Sequence, residues 1–418
     1  MGRRTVTHGP RAGLAASLVV RLLKKIDQGR VRLVYGDWQR TFGDPRAELE
    51  GTLIVHDGSF FRDVTLRGEV GLGRAYVAGK WSSPKLEDLA LVFHLNIEIF
   101  LPLIRGGACL LFATRWLENL TQRWIRGWRT STPEHSRQGM AVAYDVGNDF
   151  FRFMLGENMQ YSCAIWASPE QNLEEAQAHK IDLLIGKLDL APEHSVLEIG
   201  CGWGTLLKEI HSRYHCQVRG ISLAQKQLDV CRNALPEGRF DYLDYRELEE
   251  SEAYDRIVSV GMLEHVGPEY IQLFMDTVAR LLKPGGRAVL HTMIVGETID
   301  LEPGVHLDSF ISRTIMPIAC IPTARELLQA INRSGNLHPV HHERFGQHYG
   351  KTMREWRKNV QDHREVIADR YSVEHVRVYD YIWGSSSACF TSSNFDLLQL
   401  VVDRGPVSNE CPVSDPRA

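Results

Sequence analysis

The pattern of hydrophobic and polar positions divides the chain into a strand-rich first part and a longer part in which helices and strands alternate. Residues 30–80 contain three short β-type runs separated by Gly and Asp turns: VRLVYGDWQRTFGD, ELEGTLIVHDG and VTLRGEVGLGRAYVAG. Helical patterns begin near Leu86. We therefore expect a small N-terminal α+β domain before the alternating region.

From about residue 173 the pattern alternates between helical and strand periods. The predicted elements are a helix over 173–188, strand 195–200, a helix from Thr205, strand 217–222, a helix from Ala224, strand 254–260, a helix from Glu269 and, after a Pro-Gly-Gly turn, strand 287–293. Pieces from residue 337 onward, including a long helix from Thr352 and the run FDLLQLVVD, would close the sheet. This alternation predicts an α/β fold, a mostly parallel sheet with helices on both faces.

These patterns suggest three regions. Residues 1–130 are predicted to form the N-terminal domain, residues 131–404 a larger α/β domain beginning with a linker at 131–138, and residues 405–418 a disordered tail. The run GLAASLVV near the N-terminus follows basic residues and could belong to a signal peptide. An amphipathic helix with Leu14, Leu18 and Leu22 on one face is the favoured interpretation. No transmembrane helix is predicted, because the apolar stretch 97–112 is interrupted at Arg105.

Composition narrows the function classes. The net charge of -4 over 418 residues gives no reason to expect a nucleic-acid partner. The eight cysteines form no CxxC pair, so neither a zinc site nor a redox dithiol is predicted, and a reduced cytosolic protein is expected. His338, His341 and His342 cluster in sequence, but neighbours on a strand point apart, and no metal is assigned.

The run VLEIGCGWG at 196–204 carries the most specific chemistry. Gly200, Gly202 and Gly204 follow a predicted strand, where glycines let a ligand approach the backbone. Thr205 stands where a dinucleotide fingerprint requires Gly, and no GK[ST] element indicates a phosphate site. Glu198 lies inside the strand, and ExGxGxG after a strand is the methyltransferase signature. A tight turn without a ligand is the less favoured alternative, and S-adenosylmethionine is the expected ligand.

Residues 144–400 resemble the cyclopropane-fatty-acyl-phospholipid synthase family, which includes the mycolic acid cyclopropane synthases. The motifs that carry the resemblance are AYDVGNDFF, MQYSCAIW, VLEIGCGWG, DYRELE, DRIVSVGMLEHVG, LLKPGGRAVLHT and FGQHYGKT. Residues 30–100 resemble the N-terminal domain of the longer synthases more loosely, chiefly through RAYVAGKWSSPKLEDL. The resemblance implies a Rossmann-like class I methyltransferase domain.

The family transfers the methyl group of S-adenosylmethionine to a cis double bond of a lipid acyl chain; the resulting carbocation loses a proton and closes to a cyclopropane. The implied cofactor is S-adenosylmethionine, with a bicarbonate ion as base. The implied partner is unsaturated phospholipid in the bilayer, and the implied location is cytoplasmic, at the inner face of the membrane. The resemblance also allows a homodimer.

The resemblance assigns two sets of site residues. The catalytic set, which would hold the bicarbonate ion, consists of Glu264, His291 and Tyr349, with the backbone near Cys163 and Met293. The cofactor set consists of Tyr161, Ser162, Glu198, Gly200, Cys201, Gly202, Gly204, Ser222, Gln227, Tyr245 and Arg246.

Taken without the resemblance, the catalytic residues have ordinary interpretations. Glu264 could be a charge at a helix N-terminus, His291 a core histidine and Tyr349 a residue of a polar surface loop. Among the aromatic residues of the motifs, Tyr144 and Tyr161 are predicted at the site.

Four positions depart from the family pattern and leave the shape of the acyl pocket open. They are Ala143, Met293, Ile318-Ala319 and Ser386.

Residues 113–129 combine Trp116, Trp124 and Trp128 with four arginines at helical spacing. Such a helix suits a membrane interface, with residues 12–26 as the next candidate, but it suits packing between two domains equally well. Three other functions stay open: methyl branching or methylenation without ring closure, a lipid-surface protein with an inactive domain, and a small-molecule methyltransferase.

Overall fold

The computed structural model describes residues 13–104, 133–144, 146–298, 309–316 and 320–405. The Trp- and Arg-rich segment 113–129 and residues 406–418 of the predicted tail lie outside the described residues. Within those ranges, no helix has both the length and the apolar character needed to cross a membrane.

A smaller N-terminal domain is built on a sheet whose described strands follow the order β2-β1-β3-β4. Its elements are α1 (Leu14–Leu23), β1 (Arg30–Tyr35), β2 (Trp38–Gly43), β3 (Glu50–Val55), α2 (Ser59–Val77), β4 (Trp81–Ser82), α3 (Leu86–Leu95) and α4 (Ile97–Ile104). Strand β3 pairs parallel to β1, and the other neighbours are antiparallel.

One strand prediction is wrong, because residues 64–77 of the predicted run 64–79 fall in helix α2. The glycines that suggested turns allow this helix to pack closely and to bend. A Cβ on Gly73 would lie 2.4 Å from the Phe310 ring, so only glycine permits this contact. At Gly68 the backbone leaves helical geometry, with φ 57° and ψ -132°, which separates the helix into two halves.

The amphipathic helix predicted near the N-terminus is present as α1, but its buried face is not the predicted one. Ala16, Val19 and Leu23 are buried, whereas Leu14 is 87% exposed. The 3.6-residue period allows both faces, and contact with α2 determines which of them is buried.

The larger domain contains the remaining described elements. They are α5 (Pro133–Tyr144), α6 (Asn148–Leu155), α7 (Leu173–Leu188), β5 (Ser195–Ile199), α8 (Thr205–Tyr214), β6 (Gln217–Ser222), α9 (Gln225–Ala234), β7 (Arg239–Tyr242), β8 (Tyr254–Val260), α10 (Ile271–Leu281), β9 (Leu282–Val295), α11 (Phe310–Thr314), α12 (Ala324–Ser334), β10 (Leu337–Arg344), α13 (Gly346–Asp362), α14 (Arg364–Arg370), α15 (Val373–Thr391) and β11 (Phe395–Arg404).

The larger domain confirms the predicted α/β fold. Its described strands form a seven-stranded sheet in the order β10-β11-β9-β8-β5-β6-β7. Among them, β11 runs opposite to the common direction of the other six strands and is antiparallel to both β10 and β9. Helix α7 matches its prediction because its ends carry local signals, including a capping box between Asn172 and Glu175. The predicted linker at 131–138 is instead mostly helix α5, and the helix predicted from Thr352 begins at Gly346.

The two domains are joined by a buried contact that centres on α15. The Tyr76 hydroxyl donates to the Asp380 carboxylate, which also accepts from Arg357 at 2.8 Å. Arg357 in turn reaches Glu87 at 3.1 Å. Rings of Tyr76 and Tyr381 lie 5.5 Å apart across the same contact. This contact holds the N-terminal helices against the larger domain, where they enclose the apolar cavity described below.

Candidate active site

A cleft opens at the carboxyl ends of the parallel strands, above the loop that joins β5 to α8. The loop is held to β6, since the amides of Gly200 and Cys201 both donate to the Ile221 carbonyl, at 3.0 and 3.1 Å. Gly200, Gly202 and Gly204 all have positive φ, a conformation that favours glycine. This region, here called the loop cleft, is where ligands of such sheets bind.

Most of the predicted cofactor residues line the loop cleft. They are Tyr161, Ser162, Glu198, Gly200, Cys201, Gly202, Ser222 and Gln227.

Two of the three loop glycines have different roles. A Cβ on Gly202 would meet no atom within 4 Å, so the backbone there faces open space. Gly204 does not line the cleft; a Cβ on it would lie 2.8 Å from the Cys231 sulfur. We infer that Gly204 is required for packing rather than for contact with a ligand.

Tyr245 and Arg246 line an adjoining pocket, which shares Gly200 and Ser222 with the loop cleft. The Arg246 guanidinium donates to Asp244 at 2.7 Å and lies 4.9 Å from the Tyr270 ring centre. The two predicted residues are therefore brought to an extension of the cleft.

Two buried ionisable side chains, Glu198 and Lys180, line the loop cleft, and the sequence analysis missed Lys180. The Glu198 Oε2 atom is buried and has no hydrogen-bond partner in the described part of the chain. Lys180 Nζ donates to Gln160 Oε1 at 2.5 Å and to Ser162 Oγ at 2.9 Å, both neutral groups. Burial lowers the pKa of Lys180 to about 8 and raises that of Glu198 well above its usual range. Both groups are thus positioned to bind a charged ligand.

The sequence carried a signal for Lys180. It occupies the same helical face as Ala176 and Leu184, both fully buried, so a charged residue stands in an apolar stripe. A lysine on such a face requires polar partners when it is buried.

A second, apolar cavity lies between the two domains. Helices α1 to α4 contribute one wall, and α13 and α15 contribute another. Tyr144, Tyr161, Gly261 and His265 line both this cavity and the loop cleft, so the two spaces meet at these residues. The predicted placement of Tyr144 and Tyr161 agrees with this geometry.

Glu264 and Tyr349 line the apolar cavity. Burial raises the pKa of Glu264 to about 7, although its carboxylate accepts a hydrogen bond from the Thr292 hydroxyl at 2.8 Å. Tyr349 lies in the first turns of α13 and is buried, so the alternative interpretation as a residue of a polar surface loop is wrong. Burial raises the Tyr349 pKa, and the nearby charge of Glu264 raises it further.

Cys163 and His291 line none of these cavities. The Cys163 thiol donates to the Ala164 carbonyl at 3.1 Å, and burial raises its pKa. The His291 ring faces Gln399 Nε2 at 3.1 Å through Nδ1, whereas its buried Nε2 has no partner among the described residues. The His291 carbonyl accepts from the Gly261 amide at 2.8 Å, which anchors the turn where the cavities meet.

Two of the four departures from the family pattern fall on the apolar cavity. Met293 and Ser386 both line it. Residues 318–319 lie outside the described residues, as does the side chain of Ala143.

Comparison with known proteins identifies the family. A model of the family described as mycolic acid cyclopropane synthetase matches residues 131–400. The Escherichia coli K12 cyclopropane-fatty-acyl-phospholipid synthase is 34% identical over 84% of this chain and 87% of its own length. The chain belongs to this cyclopropane synthase family.

Two further relatives extend the comparison. The Mycobacterium tuberculosis tuberculostearic acid methyltransferase UfaA1 is 28% identical over 96% of this chain and 94% of its own. The crystal structure of the mycolic acid cyclopropane synthase CmaA1, complexed with SAH and CTAB, superposes with a TM-score of 0.59 at 26% identity. That alignment covers 64% of this chain and 98% of CmaA1. The protein is accordingly an S-adenosylmethionine-dependent methyltransferase of the cyclopropane synthase family.

Proposed function

We propose that this enzyme transfers the methyl carbon of S-adenosylmethionine to a cis double bond of an unsaturated acyl chain in a membrane phospholipid, forming a cyclopropane ring. The observation that carries the proposal is the meeting of a polar loop cleft with a large apolar cavity at Tyr144, Tyr161, Gly261 and His265. A reaction between a charged cofactor and a hydrocarbon chain requires such a junction, because the reacting atoms must be held in contact.

The loop cleft fits the amino-acid end of the cofactor. The unpartnered Glu198 carboxylate would accept from an α-ammonium group, and Lys180 would pair with an α-carboxylate. The open space above Gly202 allows a ligand to lie against the backbone. When bound, S-adenosylmethionine supplies an electrophilic methyl group and carries a sulfonium charge.

The walls of the junction suit a cationic reaction path. The Tyr144 and Tyr161 rings lie 6.0 Å apart and face the space where the cavities meet. An aromatic face stabilises a desolvated cation by about 0.5–2 kcal/mol. The apolar lining also excludes water, which would otherwise capture a carbocation.

Removal of the proton that precedes ring closure is assigned to a bicarbonate ion near Glu264, Tyr349 and His291. Two observations support this assignment. The pKa of Glu264, raised to about 7 by burial, lets its carboxyl group be protonated and donate to an anion. His291 Nε2 is buried without a partner in the described chain. When bound, bicarbonate supplies a base.

The apolar cavity supports a lipid substrate, and a double bond inside a bilayer requires contact with the membrane. We infer peripheral association with the inner face of the membrane from the cytoplasm. The extra N-terminal domain also favours a lipid over a small soluble substrate, because it forms one wall of the cavity.

The test is incubation with labelled S-adenosylmethionine and vesicles of unsaturated phospholipid, with saturated vesicles as the control. We expect label in the acyl chains of the unsaturated lipid only, and slower turnover without bicarbonate. Tyr349→Phe should bind the cofactor normally but turn over slowly. Label in a soluble small molecule, or none in lipid, would contradict the proposal.

Methyl branching or methylenation without ring closure is the second candidate, and the similarity to a tuberculostearic acid methyltransferase favours it. A cyclopropane and a methylene or methyl-branched product that keeps a double bond are isomers, each one CH2 heavier than the substrate, so mass alone does not separate them. Mild hydrogenation does, since a methyl-branched or methylene product that retains a double bond takes up hydrogen and a cyclopropane resists it.

A further inference from the structure

Helix α1 and the first half of α2 form part of the wall of the apolar cavity. Val19 and Leu23 of α1 and Val64 of α2 line the cavity. The two helices contact each other where the Thr65 hydroxyl donates to the Ala15 carbonyl, at 3.4 Å. One side of this helix pair therefore faces the space proposed for the acyl chain.

Two leucines of the same helix pair are exposed to solvent. Leu14 is 87% exposed and Leu66 is 54% exposed, and each is next in sequence to a residue of the Ala15–Thr65 contact. Leu22 both lines the cavity and is half-buried, so it lies where the cavity wall approaches the surface. Exposed leucines beside a cavity for hydrocarbon indicate a surface that meets an apolar phase.

Positive charge accompanies these leucines. Residues 14–25 and 59–67 carry five exposed basic side chains: Arg21, Lys24, Lys25, Arg62 and Arg67. In the described part of the chain, none of the five has a carboxylate within 4 Å. The single acidic residue of the two segments, Asp63, is paired with Lys80 at 2.5 Å. Asp57, just before α2, accepts from the Ser59 amide at 2.8 Å and so acts at the helix terminus.

We propose that this surface, defined by residues 14–25 and 59–67 and here called the α1–α2 surface, docks the enzyme on an anionic phospholipid bilayer. The proposal rests on the proposed function, because an enzyme that modifies acyl chains must meet the bilayer that holds them. Basic side chains are attracted to anionic headgroups, and leucines between them insert at the boundary with the acyl chains. Docking here places the membrane on the outer side of the helices whose inner side lines the cavity.

The experiment measures flotation with vesicles of phosphatidylglycerol and with vesicles of phosphatidylcholine. The test variant is Arg21→Gln, Lys24→Gln and Lys25→Gln together, and a second variant is Leu14→Ser with Leu66→Ser. The matched control changes three exposed basic residues of the larger domain to Gln: Lys208, Lys358 and Arg364. None of the changed side chains lines the loop cleft or the apolar cavity.

We expect the basic-residue variant to partition onto phosphatidylglycerol vesicles about 100-fold more weakly, since each basic residue near an anionic surface contributes roughly a factor of five. Wild type should bind phosphatidylcholine weakly and lose phosphatidylglycerol binding in high salt. Both α1–α2 variants should lose activity on vesicles but retain it on the same lipid dispersed in detergent.

Binding of the α1–α2 variants equal to wild type would overturn the proposal, as would an equal loss in the control. A change of oligomeric state in the variants, measured by light scattering, would make this surface a subunit interface and also overturn it. Failure of the proposed function has a different signature: wild type would then give no lipid product on vesicles or in detergent.

Discussion

Replacing Glu264 by Gln should change both turnover and the pH dependence of stability. Burial raises the Glu264 pKa from 4.5 to about 7. Between these pH values the folded protein keeps a proton on Glu264 that the unfolded chain releases. The raised pKa of Glu264 therefore contributes to the unfolding free energy. This contribution is fully present below pH 4.5 and is lost as the pH rises to about 7. The total loss is about 3 kcal/mol, at about 1.4 kcal/mol per pKa unit.

About 2 kcal/mol of that loss falls between pH 5 and pH 8. The Gln variant is neutral throughout, so its unfolding free energy relative to wild type should rise by that amount over the same interval. Urea unfolding of both proteins at the two pH values measures the difference. Glu365→Gln, at an exposed position, is the control and should show no such change.

The same variant should bind S-adenosylmethionine normally but turn over about 10²–10⁴-fold more slowly, because it lacks a group that assists proton removal. Calorimetry and a labelled-lipid assay measure the two quantities. A stability difference independent of pH would refute the reasoning about burial, and near-normal turnover would refute the assigned role.

Gly202→Val should abolish S-adenosylmethionine binding in calorimetry while the chain stays folded, since the added side chain would occupy the open space of the loop cleft; undiminished affinity would contradict this. Gly204→Ala should lower the unfolding free energy measured in urea, because its Cβ would lie 2.8 Å from the Cys231 sulfur. Lys180→Met should weaken cofactor binding about 10–100-fold, the effect of losing a charge-assisted hydrogen bond, whereas Lys208→Met should leave it unchanged. Wild-type affinity should also fall as the pH rises above about 8, where Lys180 loses its charge, and the fall should be absent in Lys180→Met.

Local signals were sufficient to predict much of the larger domain. The bounds of α7 and β8 match their predictions because periodicity, caps and turns fix them within a few residues. The run VLEIGCGWG predicted a strand, a glycine turn and a ligand cleft, since positive φ and close approach are properties of those residues themselves. Family motifs then supplied the residues that line the cleft.

Other features depended on contacts between distant parts of the chain. The glycines of residues 64–77 suggested turns, but these residues are helical, and Gly73 packs against Phe310 from a distant part of the chain. The α1 helix was predictable, whereas its buried face was not, because packing against α2 selects Val19 over Leu14.

The proposed reaction centre shows the same division between local and tertiary information. The sequence alone gave Glu264 and Tyr349 ordinary interpretations, because a charge after a strand and a tyrosine among polar residues are common. The tertiary structure buries both on one apolar cavity, and that cavity exists only because the N-terminal helices close over the larger domain. Glycine geometry, caps and hydrophobic period are local properties and can be predicted from the sequence. The size of the cavity, the raised pKa of Glu264 and the buried charge of Lys180 arise from desolvation by residues far apart in sequence, so only the folded structure decides them.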